Sequence, residues 1–75
     1  MAIVRKLKRI TLERETKHTE VESCTYSIIQ ASDGKYLQID SYGSAKRKMR
    51  GGKSQSTRFS PEAIAQLRNI LSKEL

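Results

Sequence analysis

Residues 19–42 read TEVESCTYSIIQASDGKYLQIDSY, and this stretch decides the fold. Its first half is rich in β-branched and aromatic residues. Cys24, Tyr26 and Ile28 recur there at the period of two that puts side chains on one face of a strand. Residues 32–34, Ser-Asp-Gly, are typical of a tight turn, because glycine tolerates positive φ angles at little cost. A second alternating run follows at once, so the stretch predicts a β-hairpin.

The second strand of this hairpin has one apolar and one polar face. Leu37 and Ile39 point to one side, and the other side carries Tyr36, Gln38, Asp40 and Tyr42. If that side faces solvent, Tyr36 and Tyr42 can stack on unpaired bases, at roughly 1–3 kcal/mol per base. In the alternative interpretation these tyrosines pack half-buried under a curled sheet.

The chain beyond the hairpin predicts one more strand and a terminal helix. Residues 53–59 are polar on both faces until Phe59, so this strand gains little from burial and lies at an edge or faces a ligand. Ser60 offers an N-cap, Pro61 suits the first helical position, and Glu62 complements the helix dipole. The helix then carries an apolar stripe, expected to be covered partly by a second copy of the chain through Ile64, Leu67, Ile70 and Leu71.

A first strand is predicted over residues 6–14, where Ile10 and Leu12 alternate with polar neighbours. The expected fold class is therefore α+β: a four-stranded antiparallel sheet followed by one C-terminal helix, in a single domain over residues 1–75. With 75 residues, 36% of them hydrophobic and 5% aromatic, the core is thin. Small cores of this kind seldom supply more than roughly 3–5 kcal/mol, which favours a homodimer.

The charge of the chain is unevenly distributed. Fifteen Lys and Arg against eight Asp and Glu give a net charge of +7, concentrated at residues 1–9 and 46–53. Charge collected in two blocks suits a polyanion better than it serves solubility. The expected phosphate contacts are Arg5, Lys6, Lys8, Arg9, Lys46, Arg47, Lys48, Arg50, Lys53 and Arg58.

Several classes of function are disfavoured. Cys24 and His18 are each the only residue of their type, so neither a disulfide nor a zinc cluster is expected, and Cys24 is interpreted as a small core residue. The spacing of Asp40 and Lys53 matches no familiar metal-dependent nuclease. No apolar run approaches a membrane span, and the basic N-terminus does not read as a signal peptide. We expect a cytoplasmic protein, nucleoid-associated if bacterial, that is not an enzyme and uses no metal, cofactor or small-molecule substrate.

Residues 35–75 resemble the DNA-binding domain of the transcriptional coactivator positive cofactor four and its bacterial and phage relatives. The resemblance rests on the strand ending in Tyr42, the basic turn with Arg50, Gly52 and Lys53, and the Phe59-Ser60-Pro61-Glu62 start of the helix. It implies a dimer formed through the helices, with curved sheets that bind single-stranded DNA without strong sequence preference. The chain departs from the family at Asp40, where a basic residue is common, and at Gly43, where a second aromatic is common.

The sequence thus predicts a dimeric protein that binds single-stranded nucleic acid, with DNA favoured over RNA. Basic residues would hold the phosphates, and Tyr36 and Tyr42 would stack on bases. One alternative is a protein–protein interaction module that docks through its terminal helix and sheet edge. A less favoured alternative is a small nuclease that uses His18 or Asp40.

Overall fold

A computed structural model of the chain describes residues 1–44 and 53–75. Its elements in chain order are β1 (Ala2–Val4), β2 (Val21–Ala31), β3 (Gly34–Ser44), β4 (Lys53–Phe59) and α1 (Pro61–Lys73). The expected α+β class, with four strands and one C-terminal helix, is confirmed. The strand order in the sheet is β1-β4-β3-β2, so β2 forms one edge and β1 the other.

The predicted hairpin is formed by β2 and β3. The two strands pair antiparallel from Val21 opposite Ser44 to Ala31 opposite Gly34, and residues 32–33 make the turn. Gly34 has a φ of +131°, which side-chain-bearing residues rarely adopt. An added Cβ there would also lie 2.9 Å from Cγ of Pro61. Glycine is therefore required where the hairpin meets the start of the helix.

The N-terminal strand differs from the prediction. The strand lies at Ala2–Val4 rather than over residues 6–14, and it pairs parallel to β4, so the sheet is mixed and not purely antiparallel. Residues 5–9 instead follow α1. The backbone N–H of Leu7 donates to Oε1 of Gln66 at 2.7 Å, and Nε2 of Gln66 donates to the Leu7 carbonyl at 3.1 Å. This side-chain amide takes the hydrogen bonds that a neighbouring strand would have supplied.

Helix α1 begins as the sequence predicts. The Ser60 hydroxyl accepts a hydrogen bond from the backbone N–H of Ala63 at 3.2 Å, and Pro61 occupies the first turn. The same hydroxyl donates to the Arg5 carbonyl at 3.2 Å, and the Ser60 backbone N–H donates to the Val4 carbonyl at 3.0 Å. One buried serine thus caps the helix and anchors the end of β1.

The helix covers only part of one sheet face. It contacts β3 and β4, and Ala63 is fully buried there, while Leu37, Ile39 and Phe59 are half-buried. On β2 the same face stays uncovered: Tyr26 is 75% exposed and Ile28 57%. Cys24 is exposed as well, so its interpretation as a core residue is wrong.

Candidate nucleic-acid interface

The sheet face turned away from α1 carries four of the predicted nucleic-acid contacts: Arg5, Tyr36, Tyr42 and Arg58. We call it the open face. Strand alternation and register place on it Ile3, Val21, Ser23, Thr25, Ser27, Ile29, Tyr36, Gln38, Asp40, Tyr42, Ser56 and Arg58. Hydroxyl, amide, carboxylate and guanidinium groups dominate this surface. Such groups suit a polar ligand rather than a packed protein core.

A chain of hydrogen bonds runs across the centre of the open face. Nε and Nη2 of Arg58 both donate to Oε1 of Gln38, at 2.9 and 2.5 Å. Nε2 of Gln38 donates to the Asp40 carboxylate oxygens at 3.2 and 3.1 Å. A carboxylate only accepts and a guanidinium only donates, so the two neighbours together determine which way the Gln38 amide points. The 6% exposed Asp40 therefore orients Gln38, and Gln38 orients Arg58.

Tyr36 lies at the turn end of this face and is buried, with only 5% of its surface exposed. Its hydroxyl donates to Oδ2 of Asp33 at 2.7 Å and accepts from Nη1 of Arg5 at 3.0 Å, and the Arg5 guanidinium lies 5.8 Å from the ring centre. A covered ring cannot receive a base. The expected stacking role of Tyr36 is therefore wrong, because its ring is almost fully covered.

The cluster around Tyr36 predicts a pH dependence of stability. The hydrogen bond from Tyr36 lowers the pKa of the Asp33 carboxyl below its ordinary value, the Arg5 charge lowers it further, and desolvation opposes both. A lowered pKa in the folded state means that ionised Asp33 contributes stability above about pH 4, and that this contribution is lost as the pH falls through the lowered value. We expect Asp33→Asn to reduce the urea midpoint near pH 7 and to reduce it progressively less as the pH falls below about 4. A reduction that stays the same from pH 7 down to acidic pH would contradict this assignment.

Tyr42 lies at the opposite end of the open face. It is half-buried, and its hydroxyl lies 3.2 Å from Oγ1 of Thr25 on β2. A register irregularity at Ser41 and Tyr42 interrupts the pairing of β3 with β4 at this point. Part of the tyrosine is thus accessible, which keeps its expected stacking role available.

The basic residues do not all meet on one side. Arg5 and Arg58 lie on the open face, but Lys8 and Arg9 lie beside the C-terminal half of α1, where Arg9 donates to Glu74 at 2.6 Å. Lys6 is exposed. Lys46, Arg47, Lys48 and Arg50 lie outside the described residues, and Lys53 is the first residue of β4. Within the described part of the face, Arg5 and Arg58 are accompanied by Asp33 and Asp40, so these four side chains together contribute no net positive charge.

The predicted dimer residues divide between two sides of the helix. Ile64, Leu67 and Leu71 line a groove of about 550 Å³ between α1 and the uncovered part of the sheet, where Ile28 and Leu37 form the floor. We call this the helix groove. Ile70 lies on the other side of α1, near Leu7 and Lys8. The assignment of Ile70 to the same interface does not fit, because the N-terminal segment occupies its side.

The sequence placed Gln38 on this face but did not show that Ser56 and Ile3 belong to the same surface. Gln38 was visible as a polar residue between Tyr36 and Asp40. Ile3 carried no signal, since only its parallel pairing with β4 brings it opposite Arg58.

Comparison of the chain with protein-family models, curated proteins and solved structures found no match. The resemblance to the positive cofactor four family therefore stays a prediction. Residues 1–44 and 53–75 contain no grouping of three or more His, Cys, Asp or Glu side chains placed to hold a metal ion. In the same residues no helix has the length and apolar character needed to cross a membrane.

Proposed function

We propose that this protein is a homodimer that binds single-stranded nucleic acid with little sequence preference, in the manner of a transcriptional coactivator of the positive cofactor four type. The observation that carries the proposal is the open face, a polar sheet surface with a pre-oriented arginine at its centre. Arg58 is held by Gln38 and Asp40 before any ligand arrives, which lowers the entropic cost of a contact. DNA is favoured over RNA on the resemblance alone.

Phosphate contacts in this proposal come from Arg5 and from the basic residues of the segment 46–53. Arg5, the residue after β1, contacts Tyr36 on the open face, and the segment 46–53 follows β3 in the chain. Each lysine or arginine that neutralises a phosphate releases a condensed cation, so binding weakens steeply with added salt. Tyr42 adds stacking on an accessible base.

The dimer is supported by the surface that the single chain leaves uncovered. Ile28 and Leu71, which line the helix groove, are 57% and 53% exposed, and Tyr26 on the same sheet face is 75% exposed. Exposed apolar side chains that lie together are typical of a protein interface. A second copy seated in the helix groove would cover Leu71 and leave both open faces pointing outward.

The decisive experiment is a titration of labelled oligo-dT followed by fluorescence anisotropy. Replacing Lys46, Arg47 and Lys48 together by alanine should weaken binding about 10- to 100-fold. It should also reduce the slope of log binding constant against log salt concentration by about two. The matched control removes the same charge at Arg14, Lys17 and Lys73, which lie outside the proposed contacts, and should change affinity far less. Duplex DNA should compete poorly. Equal effects of the two triple variants would contradict the proposal.

One observation favours the second candidate, a protein–protein module. The exposed side chains of Tyr26 and Ile28 adjoin the helix groove at the β2 edge, a surface typical of protein partners. Weak binding of oligo-dT that neither triple variant alters would support this candidate. Cleavage of labelled DNA or RNA that is lost in His18→Ala or Asp40→Asn would instead support the nuclease alternative.

A further inference from the structure

A pocket of about 480 Å³ opens on the open face where β1 meets β4 and β3. Its lining residues are Met1, Ala2, Ile3, Gln38, Ser56 and Arg58. One wall, from β1, is apolar, and Ile3 presents 54% of its surface to solvent there. The other wall, from β3 and β4, is polar. A planar ring with a polar edge is the kind of ligand that such a pair of walls accommodates.

The polar wall is rich in donors and poor in acceptors. Both lone-pair directions of Gln38 Oε1 are taken by Nε and Nη2 of Arg58, and Gln38 Nε2 is committed to Asp40. A guanidinium has five N–H groups, and two of them serve Gln38. Within residues 1–44 and 53–75, Nη1 of Arg58 makes no hydrogen bond. The end of the guanidinium therefore presents parallel donors in a pocket that Ser56 also lines.

From this geometry we infer that the pocket binds one base of the strand and prefers guanine to adenine. Guanine carries two adjacent acceptors, O6 and N7, which match two parallel N–H donors of arginine. Adenine replaces O6 by an amino donor, and the pocket has no unoccupied amide acceptor to receive it. Ile3 packs against the face of the base. The inference rests on the proposed function and adds a preference at one position of an otherwise sequence-tolerant site.

The apolar wall argues against a phosphate in this pocket. A phosphate that approached the end of the Arg58 guanidinium would lose water against the side chain of Ile3 without gaining a hydrogen bond from it. A base has an apolar face and loses nothing there. A lysine replacement separates the two ligands, because Lys contacts phosphate as a point charge but lacks the fork that reads O6 and N7.

The test compares oligo-dT strands that carry one central dG, dA or 7-deaza-dG. Wild-type protein should bind the dG strand about fivefold or more tightly than the dA strand, and 7-deaza-dG, which lacks N7, should lose most of this gain. Arg58→Lys keeps the positive charge but lacks the planar fork, so the ratio of dG to dA affinity should fall to about one, whatever the change in affinity for plain oligo-dT. Arg5→Ala, on the same face but outside the pocket, is the control that should keep it.

The possible failures are distinguishable. Oligo-dT can bind with the expected salt dependence while the dissociation constants of the dG and dA strands differ by less than about twofold. In that case the pocket inference is wrong and the proposed function still holds. If no strand binds, both are wrong. A preference that persists in Arg58→Lys also overturns the inference. Competition by free GMP and AMP distinguishes recognition of the base from recognition of a phosphate. Competition by GMP alone supports base recognition. Equal competition by both nucleotides indicates a phosphate contact and overturns the inference.

Discussion

Replacing Gly34 by alanine is expected to lower the free energy of unfolding by about 1–3 kcal/mol. The φ of +131° is costly for any residue with a Cβ, and that Cβ would stand 2.9 Å from Cγ of Pro61. In a domain of this size each kcal/mol corresponds to roughly 4–8 °C in the melting temperature. Thermal unfolding followed by circular dichroism measures the loss directly.

Two further variants check the cause of this effect. Ser32→Ala, at the exposed neighbouring turn position, should change stability by no more than about 0.5 kcal/mol. Gly34→Ala should lower the free energy of unfolding less in a Pro61→Ala background. There the added Cβ no longer meets Cγ of Pro61, whereas the strain of the positive φ angle remains. If Gly34→Ala and the wild type had the same melting temperature, the turn would not require glycine.

Replacing Leu71 by aspartate is expected to convert the proposed dimer into a monomer. Leu71 is 53% exposed in the single chain, so a charge is tolerated there before association. In the dimer that charge would be desolvated in the helix groove, at a cost of at least about 2 kcal/mol, or some 30-fold in the dimer dissociation constant. Size-exclusion chromatography with light scattering should show that the mass falls from that of a dimer, twice 8.5 kDa, to the 8.5 kDa of one chain.

Leu12→Asp supplies the matched control. Leu12 is 73% exposed and lies in the segment between β1 and β2, away from the helix groove. It should leave the dimer intact. The monomeric Leu71→Asp protein should bind short strands normally and long strands more weakly, because it loses the second linked site. If the wild-type protein is a monomer, or if Leu71→Asp remains a dimer, the helix groove is not the dimer interface.

The residues of the hairpin and of the helix start were sufficient to predict their structures. Alternating side chains around residues 32–34 specify β2 and β3, since strand alternation and turn chemistry are local properties. Ser60, Pro61 and Glu62 specify the start of α1 for the same reason. The polar strand was predicted at residues 53–59, and the structure has it at Lys53–Phe59. About half of the candidate site, including Arg58 and Tyr42, could be named from these patterns.

The rest depended on contacts between residues far apart in the chain. The apolar alternation of Ile10 and Leu12 predicted a strand, but a reciprocal pair of hydrogen bonds between Leu7 and Gln66 directs the chain along α1 instead. Tyr36 is buried in the folded chain, and its hydroxyl accepts a hydrogen bond from Arg5, which lies 31 positions away in sequence. Ile70 faces the N-terminal segment for the same kind of reason.

The amino-acid sequence by itself determined β2, β3, β4, the turn, the helix and the positive charge, because each of these follows from neighbouring side chains. Only the tertiary structure decided which side chains share a surface. Parallel pairing of β1 with β4 brings Ile3 opposite Arg58, and β3 brings Gln38 beside it. Partner choice between strands depends on the total burial and hydrogen bonding of the folded chain, which no local pattern encodes.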